Sequence, residues 1–203
     1  MVLSAISRKE QKQQTREKLL RVAFRQFSKG GLTTTRTLDI ARKAGVAHGT
    51  IFVHFPTREA LLVRVIEEFG EKVTRRMHDL AHKGQGVKNV LKAHLNGLAE
   101  YEAFYTNLII ERHNLPKEAR DTLLAIQSAI SFHLFEAAQR EMEAGTIKRI
   151  PTHLLFNTWI GLVHHYLINR DLFAPGESVI SRYGQELLSH FMALVTPETG
   201  GKR

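Results

Sequence analysis

The chain has no cysteine among its 203 residues. That excludes a disulfide framework, a cysteine-held zinc and a thiol nucleophile. It has no apolar run near the roughly 20 residues needed to span a bilayer. Its first residues turn polar and basic within SRKEQKQQ, unlike a signal-peptide core. A soluble, cytoplasmic chain is therefore expected. No Glu-x-x-His pair, no Gly-rich phosphate loop and no nucleophile–base constellation is present, so no enzyme activity, cofactor or metal is expected. Acid is scarce at one end. Residues 1–60 hold 12 Lys+Arg against 4 Asp+Glu, whereas residues 61–203 hold 17 against 16. Nearly all of the net charge of +9 thus sits in the first third, which points to a basic module for a polyanion joined to a neutral body.

What is there is helical periodicity. Leu19, Leu20, Ala23, Phe24 and Phe27 form one apolar stripe, with Thr15 a candidate cap and Gly30-Gly31 the stop. Residues 1–13 lack such a period and read as a flexible basic arm, in which Arg8, Lys9 and Lys12 can add nonspecific attraction. Thr37 to Ala44 reads as a short helix ended by Gly45. After Pro56, a helical pattern begins at Thr57 and runs to about Ala81. Further helices are expected over Val87–His113, Lys117–Ala144, Thr152–Arg170 and Ser178–Val195. The fold class is all-α, with about nine helices. Expected domains are the arm (1–13), a basic head (14–56) and a helical body (57–203).

The stretch GTIFVHF, Gly49 to Phe55, is the ambiguous one. Its β-branched and aromatic residues favour a strand by propensity. A lone strand in a helical protein would leave its backbone groups unpaired. As a helix, it places Ile51 and Phe55 on one side, and burying each is worth roughly 1.5–3 kcal/mol. That exceeds a propensity deficit of at most about 0.7 kcal/mol per residue. Thr37–Ala44, a turn at Gly45, and His48–Phe55 then form a helix-turn-helix. Its second helix presents small and medium residues outward, as a major-groove reader requires.

At these residues the sequence resembles a known family. The segments DIARKAGV, GTIFVHF and TREALL, in that order after a helix and a Gly-Gly pair, are similar to the DNA-binding region of the tetracycline-repressor (TetR) family. The likeness covers about the first 62 residues. Three positions depart from the family pattern. Ala47 and Phe52 lack the usual hydroxyls, and Arg36 replaces a capping Ser/Thr, so that Thr35 or Thr37 must cap instead. The resemblance implies a homodimeric regulator on double-stranded operator DNA, most often a repressor, with a helical body that binds a small-molecule effector and dimerises. It and the helix geometry place His48, Gly49, Thr50 and Val53 at the groove floor, beside Phe52. His48 and Thr50 can hydrogen-bond base edges or phosphate, and Val53 can meet a thymine methyl. Thr35 also counts among the candidate DNA contacts, and Arg36, Thr37, His54 and Arg58 are phosphate candidates, Arg58 together with the free N–H groups of the helix after Pro56.

For the body, Phe69, Tyr101, Phe104, Tyr105, Phe132 and Trp159 are candidates to line an effector pocket. Residues 152–170 and 178–195 are candidates for the dimer contact. Among eleven histidines, His78 and His82 share a helix face at zinc-chelating spacing, but no third ligand follows and a surface or half-buried role is favoured. Two rival readings remain, a constitutive DNA binder without effector and, more distantly, a helical metal-dependent enzyme.

Overall fold

The computed structural model describes residues 7–82 and 86–198, without the side chains at 76 and 80–82. Among the described residues there are ten α-helices and no strand. The helices are α1 (Arg8–Gly30), α2 (Thr37–Ala44), α3 (His48–His54), α4 (Arg58–His82), α5 (Val87–Glu100), α6 (Glu102–Glu111), α7 (Lys117–Glu143), α8 (Thr152–Ile168), α9 (Arg170–Phe173) and α10 (Val179–Val195). A 3-10 turn, Arg112–Asn114, follows α6.

The first helix corrects the sequence reading. It starts at Arg8 rather than near Thr15, so residues 8–13 of the expected arm are helical. Ser7 is the cap. Its hydroxyl accepts from Glu10 N (3.2 Å), and the Glu10 carboxylate accepts from Ser7 N (2.7 Å). This reciprocal pair satisfies two free donors at the helix start. Thr15 instead donates back to Gln11 O (2.9 Å).

The other large difference is at Tyr101, which divides the expected helix Val87–His113. Its backbone (φ −124°, ψ 20°) leaves the helical region, and its N–H bonds Leu98 O. The corner lets its ring meet Phe24 of α1 and Phe69 of α4 edge-on, at 5.3 and 5.9 Å. The expected helix 152–170 likewise ends at Ile168, and α9 follows as a separate turn.

One hydrophobic core runs through the chain. Leu19, Leu20, Ala23 and Phe27 of α1 meet Ile40, Ala41 and Ala44 of α2, Ile51 of α3, and Leu61, Leu62 and Val65 of α4. Helix α4 continues from this head into the body, where it packs on α5 and α7. At Gly70 the approach is close, since the Ile126 side chain of α7 occupies the place of a Cβ. Helix α10 docks on α5 and α8. Its start is held by Glu102, whose carboxylate accepts from Ser178 Oγ, Val179 N and Ile180 N at 2.6–3.0 Å. A carboxylate suits that end because it faces free N–H groups and the positive end of the helix dipole.

Candidate nucleic-acid interface

The turn between α2 and α3 is built by Gly45. It lies in the left-handed region (φ 63°, ψ 42°), where a Cβ is disfavoured. Around it Val46 N bonds Ala41 O and Gly45 N bonds Arg42 O, the paired closure of a Schellman motif. Helix α3 starts at Ala47 without a side-chain cap. A second tie joins the two helices, because Thr37 Oγ1 and His48 Nε2 are 2.9 Å apart.

Helix α3 divides as its periodicity demands. Ile51 is fully buried and Phe55 nearly so. On the other side Val53 is 67% exposed and Phe52 is 42% exposed. His48 and Gly49 are also exposed, Thr50 is half-buried, and nothing lies within 4 Å of a Cβ placed on Gly49. The His48 ring stacks edge-on against Phe52 (5.3 Å). The outward face therefore has a shallow centre at Gly49, hydrogen-bonding groups at His48 and Thr50, and apolar contacts at Phe52 and Val53.

Beside it, a hollow of about 510 Å³ opens at the start of α2, lined by residues 33–37 and Arg58. Exposed Arg36 occupies the cap position and its side chain makes no capping bond. Its guanidinium is thus free of any role in closing α2.

Two of the candidate DNA contacts, Thr35 and Arg58, are tied to the protein itself. Thr35 Oγ1 lies 2.6 Å from Gly31 O and 3.2 Å from Gln26 O. Arg58 donates to the carbonyls of Leu32, Thr33 and Thr35, the latter two at 3.2 Å. Its task in this structure is to hold the α1–α2 loop. His54 is half-buried, and burial first, then the cations Lys12 and Arg16, lowers its pKa. It is therefore neutral near pH 7 and offers no positive charge to a phosphate. Arg16, which the sequence did not single out, sits 5.0 Å over the Phe55 ring.

The link from head to body was also missed. Glu111, at the end of α6, accepts from Leu32 N (2.9 Å), Thr33 N (2.7 Å) and Thr33 Oγ1. Asn107, one turn earlier, donates to Phe27 O and Ser28 O, both at 3.0 Å. These bonds span 78–80 positions of sequence, so no local pattern could announce them.

The six expected pocket residues do not form one group. Phe69, Tyr101, Phe104 and Tyr105 gather with Phe24 in an aromatic cluster, with centroids 4.6–5.9 Å apart. Trp159 is buried elsewhere, against Phe191, and donates to His94 Nδ1 (3.1 Å). Phe132 is 56% exposed and lines an open groove with Phe135 and Phe156. Tyr105 Oη lies 2.7 Å from His164 Nε2. Burial pushes His94 down to about 3 and His164 to about 4. His78 meets His133, with ring centroids 5.2 Å apart, while the His82 side chain lies outside the described residues. Among the described residues no three His, Cys, Asp or Glu gather to hold a metal. No described helix is long and apolar enough to cross a membrane.

Comparison with known proteins adds to this geometry. Residues 19–65 match the family model described as bacterial regulatory proteins, tetR family. The uncharacterized HTH-type transcriptional regulator YuxN of Bacillus subtilis (strain 168) is 25% identical over 126 residues, 59% of this chain and 43% of that protein. The chain thus spans less than half the length of that relative. The fatty acid metabolism regulator protein of the same organism is 25% identical over 183 residues, 84% of this chain and 94% of that protein. A TetR-family regulator structure from Agrobacterium tumefaciens superposes with a TM-score of 0.76 at 15% identity, covering 92% of this chain and all of that one.

Proposed function

Because the chain belongs to the TetR family of bacterial regulatory proteins, we propose that it is a ligand-responsive repressor, released as a homodimer from a two-fold symmetric operator by a small molecule. The observation that carries this reading is the outward face of α3, where His48, Gly49, Phe52 and Val53 are exposed and Thr50 is half-buried while Ile51 is buried. His48 and Thr50 read base edges, Val53 supplies apolar contact, and Arg36 with Thr37 holds a phosphate at the start of α2. Selection of binding sites from random DNA tests it. The expected product is a palindrome with half-site centres about 34–36 Å apart or a related spacing. Recovery of DNA with no preferred sequence would support a constitutive, architectural binder instead.

The dimer reading rests on apolar residues left open on the last helices. Leu154, Gly161 and Ile168 recur every seven residues on the exposed side of α8, and Leu194 is exposed on α10. That spacing suits helix-to-helix packing with a second copy. Sedimentation at micromolar concentration is expected to give twice the chain mass, and a monomer would refute the claim.

Release works by population shift. A ligand that favours one body geometry changes DNA affinity only through its differential affinity for the two states, and the coupling is reciprocal. Helix α4 and the α6 bonds from Asn107 and Glu111 are the routes by which body and head bias one another. Because a similar B. subtilis protein is a fatty acid metabolism regulator, acyl compounds are the first class to screen for release. Ligand and operator are expected to weaken each other by the same factor, and tight simultaneous binding of both would refute the mechanism.

A further inference from the structure

Outside the helix-turn-helix and the body core, a cleft of about 120 Å³ lies where α1 and α4 meet the Tyr101 corner. Its floor is aromatic. Phe24, Phe69 and Tyr101 meet there, with both phenylalanines edge-on to the tyrosine. Its rim is cationic. Arg21 and Arg25 stand one turn apart on α1, and Lys72 of α4 holds its Nζ 5.3 Å over the Tyr101 ring.

The acid on that side of α4 already has a partner. Arg64 draws Glu71 to 2.9 Å, Glu67 to 3.1 Å and Glu68 to 3.9 Å. Glu68 is the single carboxylate lining the cleft. Arg21 and Arg25 are exposed and have no salt-bridge partner among the described residues. Three cations therefore line an apolar floor with one carboxylate in the lining, itself shared, while the Tyr101 hydroxyl at that floor donates to Glu100. Like charges held beside a low-dielectric wall attract an anion more strongly than they would in open water.

We propose that this cleft binds a small aromatic carboxylate. The ring lies on the partly exposed Phe24 and Tyr101, above buried Phe69, and the carboxylate lies between the Arg21–Arg25 pair and Lys72. An enclosed apolar cavity of roughly 150 Å³ holds a whole benzene, so this smaller cleft, open at its rim, takes part of one ring and leaves the carboxylate outside among the cations. Planar guanidinium forks suit the two oxygens of a carboxylate, and the floor supplies the stacking that inorganic anions cannot use. Binding here does not depend on the reading of α3 as a DNA reader.

The test is calorimetric titration of the full chain with sodium benzoate and, separately, with benzamide, its uncharged isostere. Benzoate is expected to bind saturably, one per chain, and benzamide not to bind. Replacing both guanidiniums (Arg21→Ala with Arg25→Ala) is expected to weaken benzoate about tenfold or more, and Lys72→Ala to weaken it as well. All three side chains lie at the rim, so helical circular dichroism should not change. No saturable benzoate binding, equal binding of benzamide, or unchanged affinity in the double variant would each overturn the proposal. A double variant that lowers the salt slope of DNA binding yet binds benzoate like the parent assigns the two guanidiniums to DNA phosphates and overturns it too.

Discussion

Thr50 and Arg36 sit close together on the proposed DNA face yet should fail in different ways. Half-buried Thr50 is proposed to read a base edge, and a lost base contact removes discrimination. Thr50→Ala is therefore expected to change the preferred sequence, by about 1–3 kcal/mol at one base pair. Competition binding against single-base operator variants measures this, and equal loss on every sequence would contradict it. Arg36 is exposed and has no salt-bridge partner among the described residues, so Arg36→Ala should weaken all sequences alike and reduce the salt slope by about one. Arg58, a phosphate candidate by sequence, has its donors engaged within the head. Its donors hold three carbonyls of the α1–α2 loop, and hydrogen bonds to charged groups are worth roughly 1.5–3 kcal/mol. Partial exposure puts the cost of Arg58→Ala at the lower end. The expected result is a lower unfolding midpoint and weaker DNA binding with an unchanged salt slope. A stable variant with a flattened slope would return Arg58 to the phosphates.

Each helix shows a different limit of what a sequence discloses. Helices α2 and α3 were legible because their determinants are local. The Gly45 stop, the apolar pair Ile51 and Phe55, and the Pro56 break all act within a few residues of where they stand, and the structure places them as read. The start of α1 was equally local, in the Ser7–Glu10 capping box, but an apolar stripe that begins later drew the boundary inward. The division at Tyr101 and the anchors Asn107 and Glu111 were not legible, because their partners lie on α1 and α4 or in the α1–α2 loop, distant in sequence. The close approach of α4 to α7 belongs with these. Gly70 sits inside a helix, where Ala would ordinarily stabilise by about 0.8–1.0 kcal/mol. Here Ile126 fills the space a methyl needs, and overpacking costs typically about 1–3 kcal/mol. Gly70→Ala is therefore expected to lower the urea midpoint. Adding Ile126→Ala should make the alanine at 70 less harmful than it is alone, as a double-mutant cycle would reveal. Additive effects would mean that the two side chains do not compete for one space.

For the whole molecule, the buried polar groups of the body set how stability depends on pH. His94 is fully buried and accepts from Trp159 Nε1, while His164 pairs with the Tyr105 hydroxyl. Burial lowers both, His94 to about 3 with a smaller contribution from His164, and His164 to about 4 with one from Arg112. In the unfolded chain each titrates near the ordinary value of about 6.5. Between those limits the unfolded state takes up a proton that the folded state refuses, so acid favours unfolding. The stabilising effect of neutrality is complete above about pH 6.5 and is lost as pH falls toward about 4 and then about 3. Each histidine contributes a slope of at most about 1.4 kcal/mol per pH unit within that window, and the two together about twice that. Denaturant unfolding at pH 7, 6 and 5 measures it. His94→Gln keeps an acceptor for the indole N–H but removes the titration, so the variant should lose about half of the slope below pH 6. An unchanged slope would mean that other groups carry the acid sensitivity. The same cluster bears on regulation, because Tyr105 and Asn107 are close neighbours on α6. Tyr105 pairs with His164, and Asn107 holds the carbonyls at the end of α1. Loosening the body at low pH should therefore weaken DNA binding before the head itself unfolds. His164→Gln, which keeps an acceptor for the Tyr105 hydroxyl but cannot take up the proton, should keep more of its operator affinity at pH 5 than the parent does.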